Sequence, residues 1–167
     1  TAIDGRMQPI HGHPRNALIV IDYAHTPDAL EQVLMSLKNQ TERKVYVVFG
    51  CGGERDKGKR SQMGKVAESL ADSIIITDDN PRNESANKIR SDILAGCPDA
   101  IQIANRDEAI EFAINQLQHS DSLLIAGKGH ENLQLIGSET LPFNDAVVAR
   151  NSVMRLRETI LKSEAKK

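Results

Sequence analysis

The sequence predicts an α/β fold with a doubly wound, mostly parallel sheet and helices on both faces. Short apolar runs recur along the chain, and each is continuously apolar rather than alternating. Strands of this kind are buried on both faces, as in a parallel sheet covered by helices. The segments between the runs carry apolar residues at helical spacing, and such alternation of strand and helix is typical of a Rossmann-like sheet.

Five apolar runs provide the expected strands. They are residues 17–21, 45–49, 73–77, 100–104 and 122–126. Four of these runs are followed by polar loops rich in charge or glycine, which begin at Asp22, Gly50, Asp78 and Gly127. Ligands of such sheets bind beyond the carboxyl ends of the strands. These four loops are therefore where we expect a functional site.

Helices are expected between the strands, and three of them have recognisable starts. Thr26 can cap the first helix, with Pro27 at the first helical position. Asn105 with Glu108 resembles a capping box. Residues 80–81, Asn-Pro, indicate another cap followed by proline, which would place the next residue, an arginine, in a first helical turn.

The C-terminal part of the chain has a different pattern. Residues 133–136 and 140–141 predict one or two short strands or a hairpin at a sheet edge, and residues 144–161 predict a long helix. We expect residues 1–16 to be a leading segment or linker, with a short strand near Met7. Residues 17–162 would form a single Rossmann-like domain, and residues 163–167 a frayed tail.

Composition narrows the classes of function. The chain has 167 residues, and its 21 basic and 23 acidic residues give a net charge of −2, which argues against a general affinity for nucleic acid or an anionic membrane. No apolar run approaches the roughly 20 residues of a membrane span. Two cysteines are too few for a disulfide framework, and free thiols suit a reducing compartment, so a cytoplasmic protein is expected.

The glycine-rich loop after the second predicted strand is basic. Residues 53–59 spell G-x-x-x-x-G-K, the start of a phosphate-binding P-loop, but Arg60 stands where that loop needs Ser or Thr. We therefore interpret the match as chance. Arg55, Lys57, Lys59 and Arg60 could still bind an anion, and the alternative is a flexible turn with a solvated basic surface. Basic neighbours could lower the pKa of Cys51, although no nucleophile is predicted.

Residues 78–82 combine carboxylates with an arginine. A guanidinium such as that of Arg82 can bind a carboxylate through two parallel hydrogen bonds. Asp79 and Glu131 can each receive an ammonium group, and the set would suit an amino-acid zwitterion. The alternative is a capped helix start with a surface ion pair. His25 and His130 also follow strand ends, where contact with a ligand is plausible, and the sequence predicts no metal site.

Four motifs in order resemble the C-terminal domain of the Mur ligases, which form amide bonds with ATP. They are residues 22–30, 49–60, 79–82 and 127–131, and residues 5–7, Gly-Arg-Met, resemble the opening motif of that domain. The likeness covers nearly the whole chain and is strongest to the members that add meso-diaminopimelate in peptidoglycan synthesis. Gln8 is a departure, since Glu is usual there.

The resemblance implies the following chemistry. ATP phosphorylates the D-glutamate carboxylate of UDP-MurNAc-L-Ala-D-Glu, and the amine of meso-diaminopimelate attacks the acyl phosphate. It implies a substrate-binding set for meso-diaminopimelate, namely Arg55, Asp79, Asn80, Pro81, Arg82, Gly127 and Glu131, and a nucleotide-facing set, namely Arg6, Asp22 and His25. ATP and Mg²⁺ would be bound mainly by a central domain, and the UDP-sugar by an N-terminal domain. Neither domain fits in 167 residues, so a fragment that is inactive alone is expected.

The same resemblance suggests the amino acid. Diaminopimelate differs from lysine by a second carboxylate, and lysine-adding relatives do not have arginine after Asn-Pro, so Arg82 favours diaminopimelate. Two alternatives remain open. One is a related ligase domain of the Mur or folylpolyglutamate type, and the other is a stand-alone amino-acid-binding module without catalysis. A dinucleotide-binding domain is disfavoured because G-x-G-x-x-G is absent after the first strand.

Overall fold

A six-stranded sheet forms the centre of the molecule. The computed structural model describes residues 3–167, so the first two residues of the predicted leading segment lie outside the described residues. The strands are β1 (Gln8–Ile10), β2 (Leu18–Asp22), β3 (Val45–Phe49), β4 (Ser73–Ile76), β5 (Ile101–Gln102) and β6 (Ser122–Ala126). Their order is β1-β2-β6-β3-β4-β5, and only the β1–β2 pair is antiparallel.

Five helices cover the two faces of this sheet. They are α1 (Pro27–Gln40), α2 (Gly58–Leu70), α3 (Ala86–Leu94), α4 (Arg106–Gln116) and α5 (Asp145–Glu164). The first three pack with Val47 of β3 in one apolar cluster, and α4 and α5 pack with Val48 of the same strand in the other. Both valines are fully buried. Burial on both faces explains the continuously apolar strands, and the predicted doubly wound fold is confirmed.

Two predicted helix starts are confirmed and one is wrong. The side chain of Thr26 accepts a hydrogen bond from the backbone of the first turn of α1, and Asn105 does the same for α4. The predicted start at Asn80 is wrong, because α3 begins at Ala86 and Ser85 caps it. Arg82 therefore lies in a loop rather than in a first helical turn. The amide oxygen of Asn80 already accepts two long-range hydrogen bonds, so it is unavailable as a cap.

The chain after β6 forms the predicted hairpin, although not at an edge of the main sheet. Strands β7 (Leu133–Ile136) and β8 (Glu139–Pro142) pair antiparallel as a separate two-stranded sheet. An isolated parallel bridge joins Ile136 to Arg82, so the hairpin packs against the loop after β4. The sheet begins inside the predicted leading segment, because β1 pairs with β2. The boundaries of a single domain at residues 17–162 stay a prediction.

The fourth predicted strand is shorter than expected. Only Ile101 and Gln102 of residues 100–104 pair with β4, and both side chains are exposed at the sheet edge. The terminal helix α5 continues past residue 161 to Glu164. Within residues 3–167, no helix is both long and apolar enough to span a bilayer.

Candidate functional site

A cleft of about 480 Å³ opens beyond the carboxyl ends of β2, β3, β4 and β6. Six of the seven predicted substrate-binding residues line it: Arg55, Asp79, Asn80, Arg82, Gly127 and Glu131. The seventh, Pro81, is buried and does not line the cleft. Residues from four separate loops therefore meet in one place, as the sheet topology predicts.

Arg82 has an unusual backbone and a partly free side chain. Its φ angle is +54°, and two backbone hydrogen bonds with the hairpin hold it there, from its N–H to Leu135 (3.0 Å) and from Gly137 to its carbonyl (2.6 Å). Its Nη1 atom donates to the carbonyls of Gly53 (3.0 Å) and Asn80 (3.3 Å). Within residues 3–167, Nε and Nη2 have no hydrogen-bond partner, so one edge of the guanidinium is available for a carboxylate.

The glycine-rich loop lies directly against the Arg82 loop. The N–H of Gly53 donates to the carbonyl of Asn80 (2.8 Å). A Cβ atom at Gly53 would lie 1.9 Å from the carbonyl oxygen of Pro81, so a larger residue would push the two loops apart. Gly127 is required for a second reason, since its φ angle is +111° and a Cβ there would lie 2.8 Å from the carboxylate of Asp79.

Asp79 provides a buried carboxylate at the floor of the cleft. No N–H or O–H of residues 3–167 donates a hydrogen bond to it, and the nearest cation is the Nζ atom of Lys128 at 3.7 Å. Burial raises the pKa of Asp79, while the positive charges of Arg106 and Lys128 hold that rise back. An ammonium group in the cleft would give this carboxylate the donors that the protein does not provide.

Lys128 joins the other polar groups of the cleft and is fully buried. Its ammonium group donates to Oδ1 of Asn80 (2.9 Å) and to Oε2 of Glu131 (3.2 Å). Asn80 also donates to the same oxygen of Glu131 (3.4 Å). Lys128 is not among the site residues predicted from the sequence. The available signal was its position in the Gly-Lys-Gly-His-Glu loop directly after a buried strand.

Arg60 is not available to bind an anion, which corrects one expectation. It is buried, and its guanidinium contacts Glu84 (2.6 and 3.0 Å), Asp92 (3.0 Å) and the carbonyl of Gly52 (3.1 Å). Two carboxylates thus neutralise it, and it fastens the glycine-rich loop to α3. Of the other basic residues of this loop, Arg55 and Lys59 line the cleft, and Lys57 is exposed outside it.

The three residues predicted to face a nucleotide lie near Tyr23 at one side of the cleft. The guanidinium of Arg6 lies 4.9 Å from the centre of the Tyr23 ring, and the ring of His25 lies 4.6 Å from it. Nδ1 of His25 donates to the carbonyl of Tyr23 (3.0 Å), which leaves Nε2 directed outward. Both oxygens of Asp22 accept backbone N–H groups, from Met7 (2.9 Å) and Ala24 (2.8 Å), so its carboxylate holds the chain near β1.

Two further features bear on the chemistry. Burial, together with the charge of Asp79, raises the pKa of the Cys51 thiol to about 12, so the expected lowering by basic neighbours is wrong. Among residues 3–167, no three histidine, cysteine or acidic side chains cluster as metal ligands. The Cys51 thiol is thus held in its neutral form beside the Asp79 carboxylate.

Behind the cleft lies a buried ion pair that the sequence analysis missed. Arg106 donates to both oxygens of Asp145 (2.8 Å each), and both side chains are fully buried. Arg106 also donates to the carbonyls of Asp78 (3.3 Å) and Ala126 (3.0 Å). It thereby links the ends of β4 and β6, the two strands whose loops provide Asp79 and Gly127.

A family model described as "Mur ligase, glutamate ligase domain" matches residues 5–129. This match includes more than half of the chain. The chain belongs to the Mur ligase family. Glu131, the C-terminal hairpin and α5 lie beyond the residues that this model matches.

Curated relatives of this Mur ligase domain are diaminopimelate ligases. UDP-N-acetylmuramoyl-L-alanyl-D-glutamate–2,6-diaminopimelate ligase of Rickettsia montanensis is 56% identical over 156 residues, which are 91% of this chain and 32% of the relative. The enzyme of that name from Agrobacterium fabrum is 49% identical over 152 residues, which are 91% of this chain and 31% of the relative. The chain thus spans about a third of the length of the curated relatives it matches.

Solved structures support the fold. A structure of a UDP-N-acetylmuramoyl-L-alanyl-D-glutamate–2,6-diaminopimelate ligase superposes with a TM-score of 0.87 and 42% identity, over 94% of this chain and 33% of that one. A folylpolyglutamate synthase/dihydrofolate synthase from Yersinia pestis superposes with a TM-score of 0.61 and 18% identity, over 92% of this chain and 32% of that one. The second likeness supports the fold alone.

Proposed function

We propose that this chain is the amino-acid-binding domain of a ligase that adds meso-diaminopimelate to UDP-MurNAc-L-Ala-D-Glu in peptidoglycan synthesis. One observation carries the proposal. The free edge of the Arg82 guanidinium lines the same cleft as the Asp79 carboxylate, which accepts no hydrogen bond within residues 3–167. A carboxylate and an ammonium group of one amino acid can therefore bind together. The names of the relatives at 49–56% identity support diaminopimelate as that amino acid.

The cleft residues have distinct roles in this proposal. Arg82 binds a carboxylate of diaminopimelate, while Asp79 and Glu131 receive an ammonium group. Arg55 lies exposed at the rim, where it adds positive charge for the carboxylate-rich substrate. Gly127 leaves the space that the ligand needs beside Asp79. Asn80 and Pro81 act through the backbone and through contacts with neighbouring loops rather than by charge.

Discrimination against lysine follows from the arginine. Lysine lacks the second carboxylate, so it would leave the Arg82 guanidinium without an ionic partner inside the cleft. An unpaired charge in a partly enclosed site disfavours binding strongly, and sites of this kind reject analogues that lack the recognised group. The expected preference for diaminopimelate is thus a consequence of one side chain.

We also propose that ATP is a substrate of the complete ligase and that its phosphates approach this domain near Arg6 and His25. Both side chains are exposed, and both can donate hydrogen bonds to phosphate oxygens. Asp22 is predicted to face the nucleotide, but its carboxylate accepts two backbone N–H groups, so we propose that it positions the adjacent loop instead. Mg²⁺ would enter with ATP, bound by other parts of the ligase. Activation of the D-glutamate carboxylate as an acyl phosphate would precede attack by the diaminopimelate amine.

The test is steady-state kinetics of the full-length ligase with the Arg82→Met variant. We expect kcat/KM for meso-diaminopimelate to fall by about 30- to 100-fold, because a charge-assisted pair is worth about 2–3 kcal/mol and a factor of ten costs about 1.4 kcal/mol. The KM for ATP should stay unchanged, and the preference over L-lysine should shrink.

Arg150→Met is the matched control, because Arg150 is an exposed arginine of α5 that contacts no carboxylate within residues 3–167. This control should leave kcat/KM for meso-diaminopimelate, the KM for ATP and the preference over L-lysine unchanged. Equal kcat/KM in the wild-type and Arg82→Met enzymes would exclude Arg82 from the substrate site. A wild-type ligase that does not use diaminopimelate would exclude the proposed function itself.

A further inference from the structure

The buried ammonium group of Lys128 has an arrangement that recognition of the substrate by Arg82 does not explain. Its Nζ atom is surrounded by three oxygens, Oδ1 of Asn80 at 2.9 Å, Oε2 of Glu131 at 3.2 Å and Oδ1 of Asp79 at 3.7 Å. The lysine has no exposed surface, whereas the side chain of Glu131 is 34% exposed. The cation therefore lies beneath the carboxylates, which face the cleft.

We propose that Lys128 is a positioning residue that keeps the Asp79 and Glu131 carboxylates charged and in place to receive one ammonium group of the amino acid. This inference rests on the proposed function and adds a positioning residue to it. Lys128 itself does not line the cleft. It acts on the ligand only through its three oxygen partners.

Charge balance supports this role. The pair Arg106–Asp145 is neutral as a unit behind the cleft. In front of it, the carboxylates of Asp79 and Glu131 face the single positive charge of Lys128, so one negative charge is left uncompensated. One substrate ammonium balances it. Without Lys128, two adjacent carboxylates would share a largely buried site, and such pairs avoid double ionisation by binding a proton.

The group that would take up this proton is Asp79. Burial already raises its pKa, and the neighbouring charges of Glu131 and Asp145 act in the same direction. Arg106 from α4 and Lys128 from the loop after β6 oppose them, and the Cys51 thiol faces the same carboxylate from the loop after β3. Loss of Lys128 removes one of two opposing cations. The pKa of Asp79 should rise further, and a protonated carboxyl binds an ammonium group poorly.

The position of Glu131 also depends on the lysine. Its Oε2 atom accepts from both Lys128 and Asn80, and Asn80 in turn accepts from Lys128. These three polar groups form a closed ring of hydrogen bonds. Within residues 3–167, Oε1 of Glu131 accepts no hydrogen bond. The ring thus fixes one oxygen of the carboxylate and leaves the other for the ligand.

The experiment is the pH dependence of the KM for meso-diaminopimelate in the full-length ligase, with wild type compared with Lys128→Met. We expect the ratio of variant to wild-type KM to be about tenfold or more near pH 6 and to shrink as the pH rises toward about 9, because one pKa unit changes the charged fraction about tenfold. Because both enzymes use the same substrate, ionisation of the substrate affects both KM values equally and cancels in their ratio. The kcat at saturation and the KM for ATP should change by less than about threefold.

The control is Lys65→Met, an exposed lysine of α2, which should leave the KM unchanged at every pH. The second variant is Lys128→Met/Glu131→Gln, which again leaves one negative charge. Its KM is expected to be raised but with the same pH dependence as wild type. This double variant also tests the proposal if Lys128→Met alone does not fold. A ratio of its KM to the wild-type KM that still falls with rising pH would contradict the proposal.

Two results separate the possible failures. A KM ratio for Lys128→Met that is constant from about pH 6 to about pH 9, or a KM for ATP that rises in parallel, would show that Lys128 only supports the fold. That outcome would overturn this inference and leave the proposed function intact. A wild-type ligase that does not use diaminopimelate would overturn the proposed function, whatever the variants do.

Discussion

Arg82 combines a strained backbone with a central position in the cleft. A non-glycine residue with φ near +54° costs about 1–2 kcal/mol relative to ordinary regions. The hydrogen bonds with Leu135 and Gly137 offset this cost, because they hold both polar groups of the residue. Backbone strain of this kind persists only where the surrounding structure enforces it. Here it directs the guanidinium over the glycine-rich loop into the cleft.

Arg60, in the first turn of α2 after the glycine-rich loop, shows that a basic residue expected to bind an anion can be structural. Its guanidinium is enclosed by Glu84, Asp92 and the carbonyl of Gly52. The bidentate pair with Glu84 lowers the pKa of this carboxyl to about 2 from its usual 4.5. A carboxyl with a lowered pKa in the folded state stabilises the protein above its unfolded pKa.

The corresponding prediction concerns acid stability. The stabilisation from Glu84 should be complete above about pH 4.5 and should be lost as the pH falls toward about 2, because the unfolded state then binds the proton more readily. Urea unfolding at a series of pH values should show a steeper loss of stability in wild type than in Glu84→Gln over this range. Glu158→Gln on the exposed surface of α5 is the control, and its slope should match wild type. Parallel slopes for wild type and Glu84→Gln would contradict the assignment.

At the scale of elements, the β7–β8 hairpin acts as a clamp on the loop after β4. Gln134 donates to the carbonyl of Asp79 (2.8 Å), and the N–H of Leu135 donates to the side chain of Asn80 (3.0 Å). The bridge between Ile136 and Arg82 adds a third contact between the hairpin and this loop. Three successive residues of the hairpin thus position three residues of the loop after β4. The hairpin defines the cleft without lining it.

The Arg106–Asp145 pair joins α4 and α5 behind this loop, and its removal should be costly. Asp145→Asn leaves the buried Arg106 guanidinium without its counter-charge, and breaking such a pair costs about 3–5 kcal/mol. The double variant Arg106→Met/Asp145→Leu removes both charges and should lose less stability than Asp145→Asn. Urea unfolding of both variants measures the difference. A double variant that is less stable than the single one would show that hydrogen bonds of Arg106 to the strand ends, rather than the charge pair, dominate.

The sequence predicts elements well where local physics decides them. Thr26 and Asn105 cap their helices as expected, since a cap needs only a neighbouring backbone N–H. Asn80 looks the same in sequence, but its amide binds Lys128 and Leu135, which lie about 50 residues further along the chain. Arg60 was misinterpreted for a related reason, because Glu84 and Asp92 approach it only in the folded chain.

At the scale of the whole molecule, the order of the strands explains why the residues of the candidate site meet in one cleft. Strand β6 lies between β2 and β3, so the Gly-Lys-Gly-His-Glu loop lies in the middle of the sheet edge that carries the polar loops. The loops after β3 and β4 lie beside it. A parallel sheet places all these loops at one edge, and each was recognisable as polar sequence after an apolar run. Distances and ion pairs within the cleft depended on packing and were not predictable.

The chain spans about a third of its curated relatives, and the cleft is open on the side that faces away from the sheet. We propose that other parts of a full-length ligase bring the acyl phosphate to this opening. The exposed Arg6 and His25 beside Tyr23 would lie at the approach of the nucleotide. This proposal assigns amino-acid recognition to the chain and activation of the acceptor carboxylate to other parts of the ligase.

The most direct measurement is a crystal structure of the full-length ligase with meso-diaminopimelate bound. We predict diaminopimelate in the cleft beyond β3, β4 and β6, with one carboxylate hydrogen-bonded to Nε and Nη2 of Arg82. An ammonium group should lie between Asp79 and Glu131, with Lys128 still beneath them. Diaminopimelate bound at another site, or bound in this cleft without a contact to Arg82, would contradict the account.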